Sequence, residues 1–154
     1  MIVDDAAELL SQADFFDICD EQELTMLGFA GDRQHFSAGD VIYRGGTEPQ
    51  GASVLVRGTV LVEHQGAEAS KAYRLTEPGS VISPTSLIIA KPRPVTFTAE
   101  TECELIFVPR SAFLKLAKQS PSLAQRAAER IQRDLGQYMH ALEPLRKKMV
   151  RSAD

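Results

Sequence analysis

Hydrophobic and polar positions follow different periods along the chain, and these periods divide it into three segments. Between Asp4 and Phe16 apolar residues recur at helical spacing, and acidic residues stand at the start, where the helix dipole favours them. A second helix is predicted directly after Asp20, because Glu23 occupies the capping-box position relative to it. The first 32 residues are therefore expected to form N-terminal helices.

Residues 33–110 have turn signals at short intervals, most of them containing glycine, with short β-rich runs between them. Six runs are predicted strands: Val41–Tyr43, Ser53–Val56, Thr59–Val62, Tyr73–Leu75, Val95–Ala99 and Leu105–Val108. Short strands at this spacing are typical of an antiparallel sandwich or closed roll, not of a parallel sheet with crossover helices.

The helical period returns in residues 111–154. A short amphipathic piece begins at Ser111, and Ser120-Pro121 is predicted to start a longer helix. Along that helix apolar residues alternate spacings of four and three, as in a heptad seam: Ile131, Leu135, Tyr138, Leu142, Leu145 and Met149. The seam predicts a homodimer contact, and the alternative is a helix that folds back on its own roll. Pro144 argues against a perfect coiled coil, because it removes one helical hydrogen bond.

Residues 79–99 combine several features of an anion site. Ser83 precedes Pro84, which is the preferred order for an N-cap and first helical position. Thr85 and Ser86 would then present free N–H groups, and such helix starts attract anions.

Arg93 stands between two prolines in the same stretch. Pro94 biases it toward an extended backbone and Pro92 stiffens the approach, so the guanidinium would reach an oxyanion from a fixed frame. Backbone donors and one arginine suffice for a single phosphate. The alternative is a surface turn with a solvated arginine.

Composition narrows the class of protein. The chain has 154 residues, enough for one domain, and neither an apolar run of bilayer length nor a signal-peptide pattern, so we expect a soluble cytoplasmic protein with no membrane association. The net charge of −4 argues against general nucleic-acid binding. Cys19 and Cys103 are too few for a disulfide scaffold and are predicted to be small core residues.

Several short matches, taken together, resemble the cyclic nucleotide-binding domain family. They are Phe36–Ile42 as an entry strand, turn glycines at Gly46 and Gly58, and the segments 102–105 and 109–113 as the last strands and following helix. The resemblance implies one mainly β domain over residues 1–154, a double-stranded β-helix (β-roll or jelly roll). Its N-terminal helices would span 1–32, its roll 33–110 and its C-terminal helices, one of them long, 111–154, with a short phosphate-cassette helix inside the roll.

The 79–99 stretch resembles the phosphate-binding cassette of that family. The implied ligand-binding residues are Ile82, Ser83, Pro84, Thr85, Ser86, Leu87, Arg93 and Pro94. Strand residues that lie either near the ligand or in plain core are Val54, Val62, Val95 and Phe97. The sequence departs from the family where Ser83-Pro84 replaces the usual Gly-Glu, whose glutamate accepts the ribose 2′-hydroxyl.

The resemblance implies a non-enzymatic sensor module in which a phosphate-containing ligand, cAMP or cGMP, repositions the C-terminal helix. The alternative is a degenerate pocket that no longer binds cyclic nucleotides and serves as a dimerising scaffold or protein-interaction domain. No helix-turn-helix follows the long helix, so direct DNA binding is not expected. A cupin-type metal enzyme is disfavoured, because His35, His64 and His140 form no close pair, and no catalytic triad pattern is present. No metal and no obligatory cofactor are expected.

Overall fold

The computed structural model describes residues 2–66, 68 and 71–133, with side chains described from residue 6 onward. The chain begins with α1 (Ile2–Ser11), a 3-10 turn (Phe16–Ile18) and α2 (Glu21–Ala30). The predicted capping box at the start of α2 is confirmed. The Glu23 N–H donates to Asp20 Oδ1 at 2.8 Å, and the Asp20 N–H donates to Glu23 Oε1 at 2.9 Å.

The first helix is shorter than predicted, because it ends at Ser11 and not at Phe16. Phe15 and Phe16 are only 2% and 0% exposed, and their rings meet edge to face at 5.7 Å. Neighbouring residues on an α-helix point in different directions, so a continued helix would not bury both rings on one side. The chain instead breaks, and Phe15 takes a positive φ of 78°.

The middle of the chain forms two four-stranded antiparallel sheets. The strands are β1 (Asp32–Phe36), β2 (Val41–Tyr43), β3 (Gly51–Arg57), β4 (Val60–His64), β5 (Tyr73–Leu75), β6 (Val81–Ile82), β7 (Val95–Ala99) and β8 (Cys103–Pro109). One sheet has the order β1-β8-β3-β6 and the other β2-β7-β4-β5. All six predicted strands are confirmed, three of them with their observed bounds, and the mainly β roll with flanking helices is confirmed.

Alternate residues of β3 face two separate cores. Val54 packs into a cluster beneath the helices, whereas Leu55 packs into a cluster between the sheets. The second cluster also holds Val62, Val95 and Phe97. The roll is therefore covered by helices on one face and closed by its own second sheet on the other.

Helices resume directly after β8. The helix α3 (Arg110–Gln119) is followed by a helix whose described part is residues 121–133, so the predicted restart at Ser120-Pro121 is confirmed. Leu123, Ala127 and Ile131 of this 121–133 helix are buried in the cluster beneath the helices. The other seam residues predicted for a dimer contact lie outside the described residues. Within the described part of the chain, none of the helices has the length and apolar content of a membrane span.

Glu23 connects the N-terminal helices to the junction between α3 and the 121–133 helix. Its carboxylate is 6% exposed and accepts a hydrogen bond from Ser120 Oγ at 2.9 Å. Arg126 Nη2 donates to both carboxylate oxygens at 3.2 Å, and Arg126 Nη1 donates to the carbonyl of Ile18. A single buried side chain thus fixes the start of the 121–133 helix.

Further along the same helix, Arg130 pairs with the carboxylates of Asp14 and Asp17. Cys19 lies in the same region, and burial raises the pKa of its thiol to about 12, with a smaller contribution from the nearby charge of Glu23. Cys19 is therefore a neutral buried thiol at neutral pH, as predicted for a core cysteine.

Candidate functional site

A cleft of about 250 Å³ opens between the two sheets. Strands β1, β2, β3 and β8 line it, together with residues 48–50 and the end of β6. Its polar lining is Gln34, Tyr43, Glu48, Gln50, Ser53 and Ser83, and its large apolar side chains are Phe36, Ile42, Ile82 and Phe107. Apolar walls with a few polar groups are typical of small-molecule sites, and the volume is at the small end for one.

Ser83 is the residue through which the cleft meets the predicted phosphate cassette. It is 5% exposed and adopts the left-handed conformation, with φ 59° and ψ 55°. Ser83 and Pro84 take the predicted N-cap and first helical positions, but the expected cap hydrogen bond from the Ser83 side chain is not made. Its Oγ instead accepts a hydrogen bond from Arg93 Nη1 at 2.8 Å. A tertiary partner ten residues away has replaced the local one.

The cassette helix is a single 3-10 turn, Pro84–Leu87. The expectation of a free N–H at Ser86 is wrong, because this N–H donates to the carbonyl of Ser83 at 3.0 Å. Leu87 is fully buried in the cluster beneath the helices, away from the space between the sheets. The Ser86 N–H is therefore used inside the turn, and the cationic group that reaches this turn is the side chain of Arg93.

Arg93 is held by its backbone on both sides. Its N–H donates to Tyr43 Oη at 3.0 Å, and its carbonyl accepts from the N–H of Gly46 at 2.9 Å. The next residue, Pro94, accepts from the N–H of Gln65 at 2.8 Å. The guanidinium is half-buried and thus extends from a fixed frame, in the way that the flanking prolines predict.

The structure brings three of the eight predicted ligand-binding residues to the cleft. Ile82 and Ser83 line it, and Arg93 reaches it through Ser83. The cleft lining does not include Pro84, Thr85, Ser86, Leu87 or Pro94. It also omits the strand residues Val54, Val62, Val95 and Phe97, which are core.

Arg110 was not identified from the sequence, yet it connects three parts of the site. Its Nη1 donates to the carbonyls of Pro49 at 2.8 Å and Ser86 at 3.2 Å, and its Nη2 is 3.6 Å from Glu48 Oε1. It is also the first residue of α3, where the helix dipole disfavours a cation. A cation at a helix start is locally unfavourable, and this mismatch is the signal from which a tertiary role could have been predicted.

The histidines described in the structure give no metal site. His35 is exposed and lies 3.9 Å from the Glu102 carboxylate, and the ring of His64 lies 6.1 Å from that of Tyr73. Over the described residues, no group of three His, Cys, Asp or Glu side chains is arranged to hold a metal ion.

Solved structures show the same fold. A protein from Ruegeria pomeroyi that carries a provisional cyclic nucleotide-binding description aligns with a TM-score of 0.72 at 17% identity, covering 94% of this chain and 64% of that one. The N-terminal domain of a transcriptional regulator from Streptomyces coelicolor aligns with a TM-score of 0.73 at 21% identity, covering 87% and 94%. The regulatory domain of Toxoplasma gondii PKA, solved with cAMP, aligns with a TM-score of 0.66 at 16% identity, covering 85% and 50%.

Sequence comparison, and not the likeness in fold, shows the family. No significant relative was found among curated proteins. The family model described as the cyclic nucleotide-binding domain matches residues 33–120, which is more than half of the chain and contains the cleft, Arg93 and Arg110. The chain therefore belongs to the cyclic nucleotide-binding domain family.

Proposed function

We propose that this chain is a regulatory sensor domain that binds a cyclic nucleotide in the cleft between its sheets. The observation that carries the proposal is the contact between Arg93 and Ser83 at the wall of that cleft. A half-buried guanidinium on a fixed backbone is suited to a phosphate, because it offers several donors in a planar fork. The cAMP bound in the Toxoplasma gondii domain of the same fold supports this ligand class.

The response to the ligand passes through Arg110 to the C-terminal helices. Arg110 joins the 49–50 backbone and the 3-10 turn to the first residue of α3, and α3 leads into the Glu23 junction. A ligand shifts the position of a helix only if it binds one position more tightly than the other. Because Arg110 contacts both Pro49 and Ser86, a ligand that changes the position of either one also changes the contacts at the start of α3.

A second function has a specific observation in its favour. Ser83 Oγ already occupies Arg93 Nη1, and Pro84 has neither an acceptor side chain nor an N–H. A pocket that satisfies its own arginine is consistent with a domain that has lost cyclic nucleotides and acts as a dimerising scaffold or interaction module.

Titration calorimetry separates the two functions. We expect wild-type protein to give binding heat with cAMP or cGMP, and Arg93→Ala to weaken that affinity by about 10- to 100-fold, since a hydrogen bond to a charged group contributes about 1.5 to 3 kcal/mol. The matched control is Lys91→Ala, which removes a cation from the exposed part of the same loop and should leave the affinity unchanged. No heat from wild type with either nucleotide at millimolar concentration would favour the scaffold.

Hydrogen exchange tests the output of the sensor. With nucleotide bound, we expect the backbone amides of residues 110–133 to change their protection, because occupancy alters the contacts of Arg110 at the start of α3. The change should persist in Lys91→Ala and disappear in Arg93→Ala at the same nucleotide concentration. Binding without any change in this segment would contradict a response through the C-terminal helices.

A further inference from the structure

We infer that Glu48 is a ligand-binding residue of this cleft, which accepts a hydrogen bond from an O–H or N–H group of the nucleotide, and that Arg110 positions it. The inference rests on the proposed function, since it concerns the ligand whose phosphate Arg93 binds. It assigns a carboxylate to a site in which the usual glutamate position is occupied by Pro84.

Glu48 is the one carboxylate that lines the cleft in the described part of the chain. The other polar groups of the lining are amides and hydroxyls, which donate as readily as they accept. An ionised carboxylate only accepts, and it forms stronger hydrogen bonds than a neutral acceptor does. The cleft therefore offers a cation for an anionic ligand group through Arg93, and a carboxylate for a donor group through Glu48.

The Glu48 carboxylate has room for a ligand. Its side chain is 60% exposed, and its nearest cation, Arg110 Nη2, is 3.6 Å away, which is an ion pair without a short hydrogen bond. Arg110 is only 15% exposed and its Nη1 already donates to two backbone carbonyls, so it does not need Glu48 to be satisfied. An ion pair with an exposed carboxylate and no short hydrogen bond contributes little to stability.

The backbone that carries Glu48 is fixed on both sides, although its side chain is exposed. Before it, the carbonyl of Thr47 accepts from Tyr43 Oη, and the Thr47 hydroxyl donates to the carbonyl of Arg44 at 2.7 Å. After it, Pro49 is buried and its carbonyl is bound by Arg110. A carboxylate on a rigid backbone costs less entropy to order when a ligand binds.

Tyr43 and Arg110 connect the loop that carries Glu48 to the backbone of Arg93 and to the 3-10 turn. Tyr43 Oη donates to the Thr47 carbonyl and accepts from the N–H of Arg93. The same tyrosine therefore holds the backbone next to Glu48 and the backbone of the phosphate-binding arginine. Arg110 connects the same loop to the 3-10 turn, because its Nη1 donates to the carbonyls of both Pro49 and Ser86. The two charged groups that recognise the ligand are therefore held at a defined separation.

A cyclic nucleotide has two donor groups that Glu48 can accept from, the ribose 2′-hydroxyl and the exocyclic amino group of adenine or guanine. The affinities to measure by calorimetry are those of the nucleotide that binds wild type, its 2′-deoxy analogue and cyclic IMP, which lacks the exocyclic amine. We expect Glu48→Gln to lower the affinity for the parent nucleotide about 10-fold or more. The analogue that lacks the donor recognised by Glu48 should bind wild type and Glu48→Gln with equal affinity. Whichever analogue shows this equality identifies the donor.

Glu63→Gln is the matched control, because it removes the same charge from an exposed position of β4 outside the cleft lining. It should change none of the affinities. Arg110→Lys tests the positioning role: we expect it to reduce the ratio of parent to analogue affinity, whereas loss of a purely structural arginine would weaken all three nucleotides alike. Urea unfolding of each variant shows that the fold is retained.

The outcomes distinguish this inference from the proposed function. If wild type binds neither cAMP nor cGMP, both are overturned. If wild type binds but Glu48→Gln keeps its affinity within about twofold, or weakens all three nucleotides equally, only the assignment of Glu48 is overturned.

Discussion

Replacing Gly58 with alanine is expected to lower the free energy of unfolding by about 3 to 4 kcal/mol. Gly58 follows β3 with φ +107°, and a Cβ placed there would lie 2.5 Å from the carbonyl oxygen of Glu102 and 2.7 Å from Cys103 Sγ. The left-handed region costs a non-glycine residue about 1 to 2 kcal/mol, and overpacking adds about 1 to 3 kcal/mol. Both costs act here, because the nearest atom belongs to the backbone and cannot rotate away.

Gly39→Ala separates the two costs in a urea unfolding experiment. Gly39 has φ +96° and open space around its would-be Cβ, so alanine should cost only the conformational strain of about 1 to 2 kcal/mol. Gly58 stands at the opposite end of β3 from Gly51, which lines the cleft, so nucleotide affinity of folded Gly58→Ala should be unchanged. Equal losses for the two variants would mean that the 102–103 backbone shifts at little cost.

The strands that the sequence predicted are those with β-branched and aromatic residues between glycine turns. Two strands had no such signal. β1 (Asp32–Phe36) contains three charged or amide residues in a row and forms a sheet edge, where its partner β8 supplies the apolar surface. β6 has two residues and lies beside turn glycine Gly79, so no period can be read from it. Pairing with β3 gives these residues their strand conformation.

Of the residues that form the candidate site, the sequence predicted Ile82, Ser83 and Arg93 but not the rest of the cleft lining. Local preference places Ser83 at the N-cap position, but in the folded chain its hydroxyl binds Arg93, ten residues away, and makes no cap hydrogen bond. Residues 47–50 carry only turn signals, so nothing local indicates that Glu48 lines the cleft. Such placements depend on long-range contacts, and single-sequence patterns report mainly local ones.

Glu23→Ala is expected to lower the free energy of unfolding by about 3 kcal/mol, because it removes the carboxylate that Ser120 and Arg126 share at a buried junction. The variant loses the hydrogen bond from Ser120 Oγ and leaves Arg126 without its carboxylate. Arg126 retains its bond to the carbonyl of Ile18 and is 35% exposed, so water compensates part of its loss. The cost should therefore fall at the low end for a broken buried pair.

Asp20→Ala is the control that isolates the tertiary part of this effect. It removes the other half of the capping box, the bond from the Glu23 N–H, without touching Ser120 or Arg126, and should cost about 1 kcal/mol. Urea unfolding should therefore rank Glu23→Ala well below Asp20→Ala in stability. In hydrogen exchange, only Glu23→Ala should increase exchange in residues 121–133, since Glu23 binds the start of that helix. If the two variants lose the same stability, Glu23 contributes only its cap, and the junction does not hold the helix through which the sensor is proposed to respond.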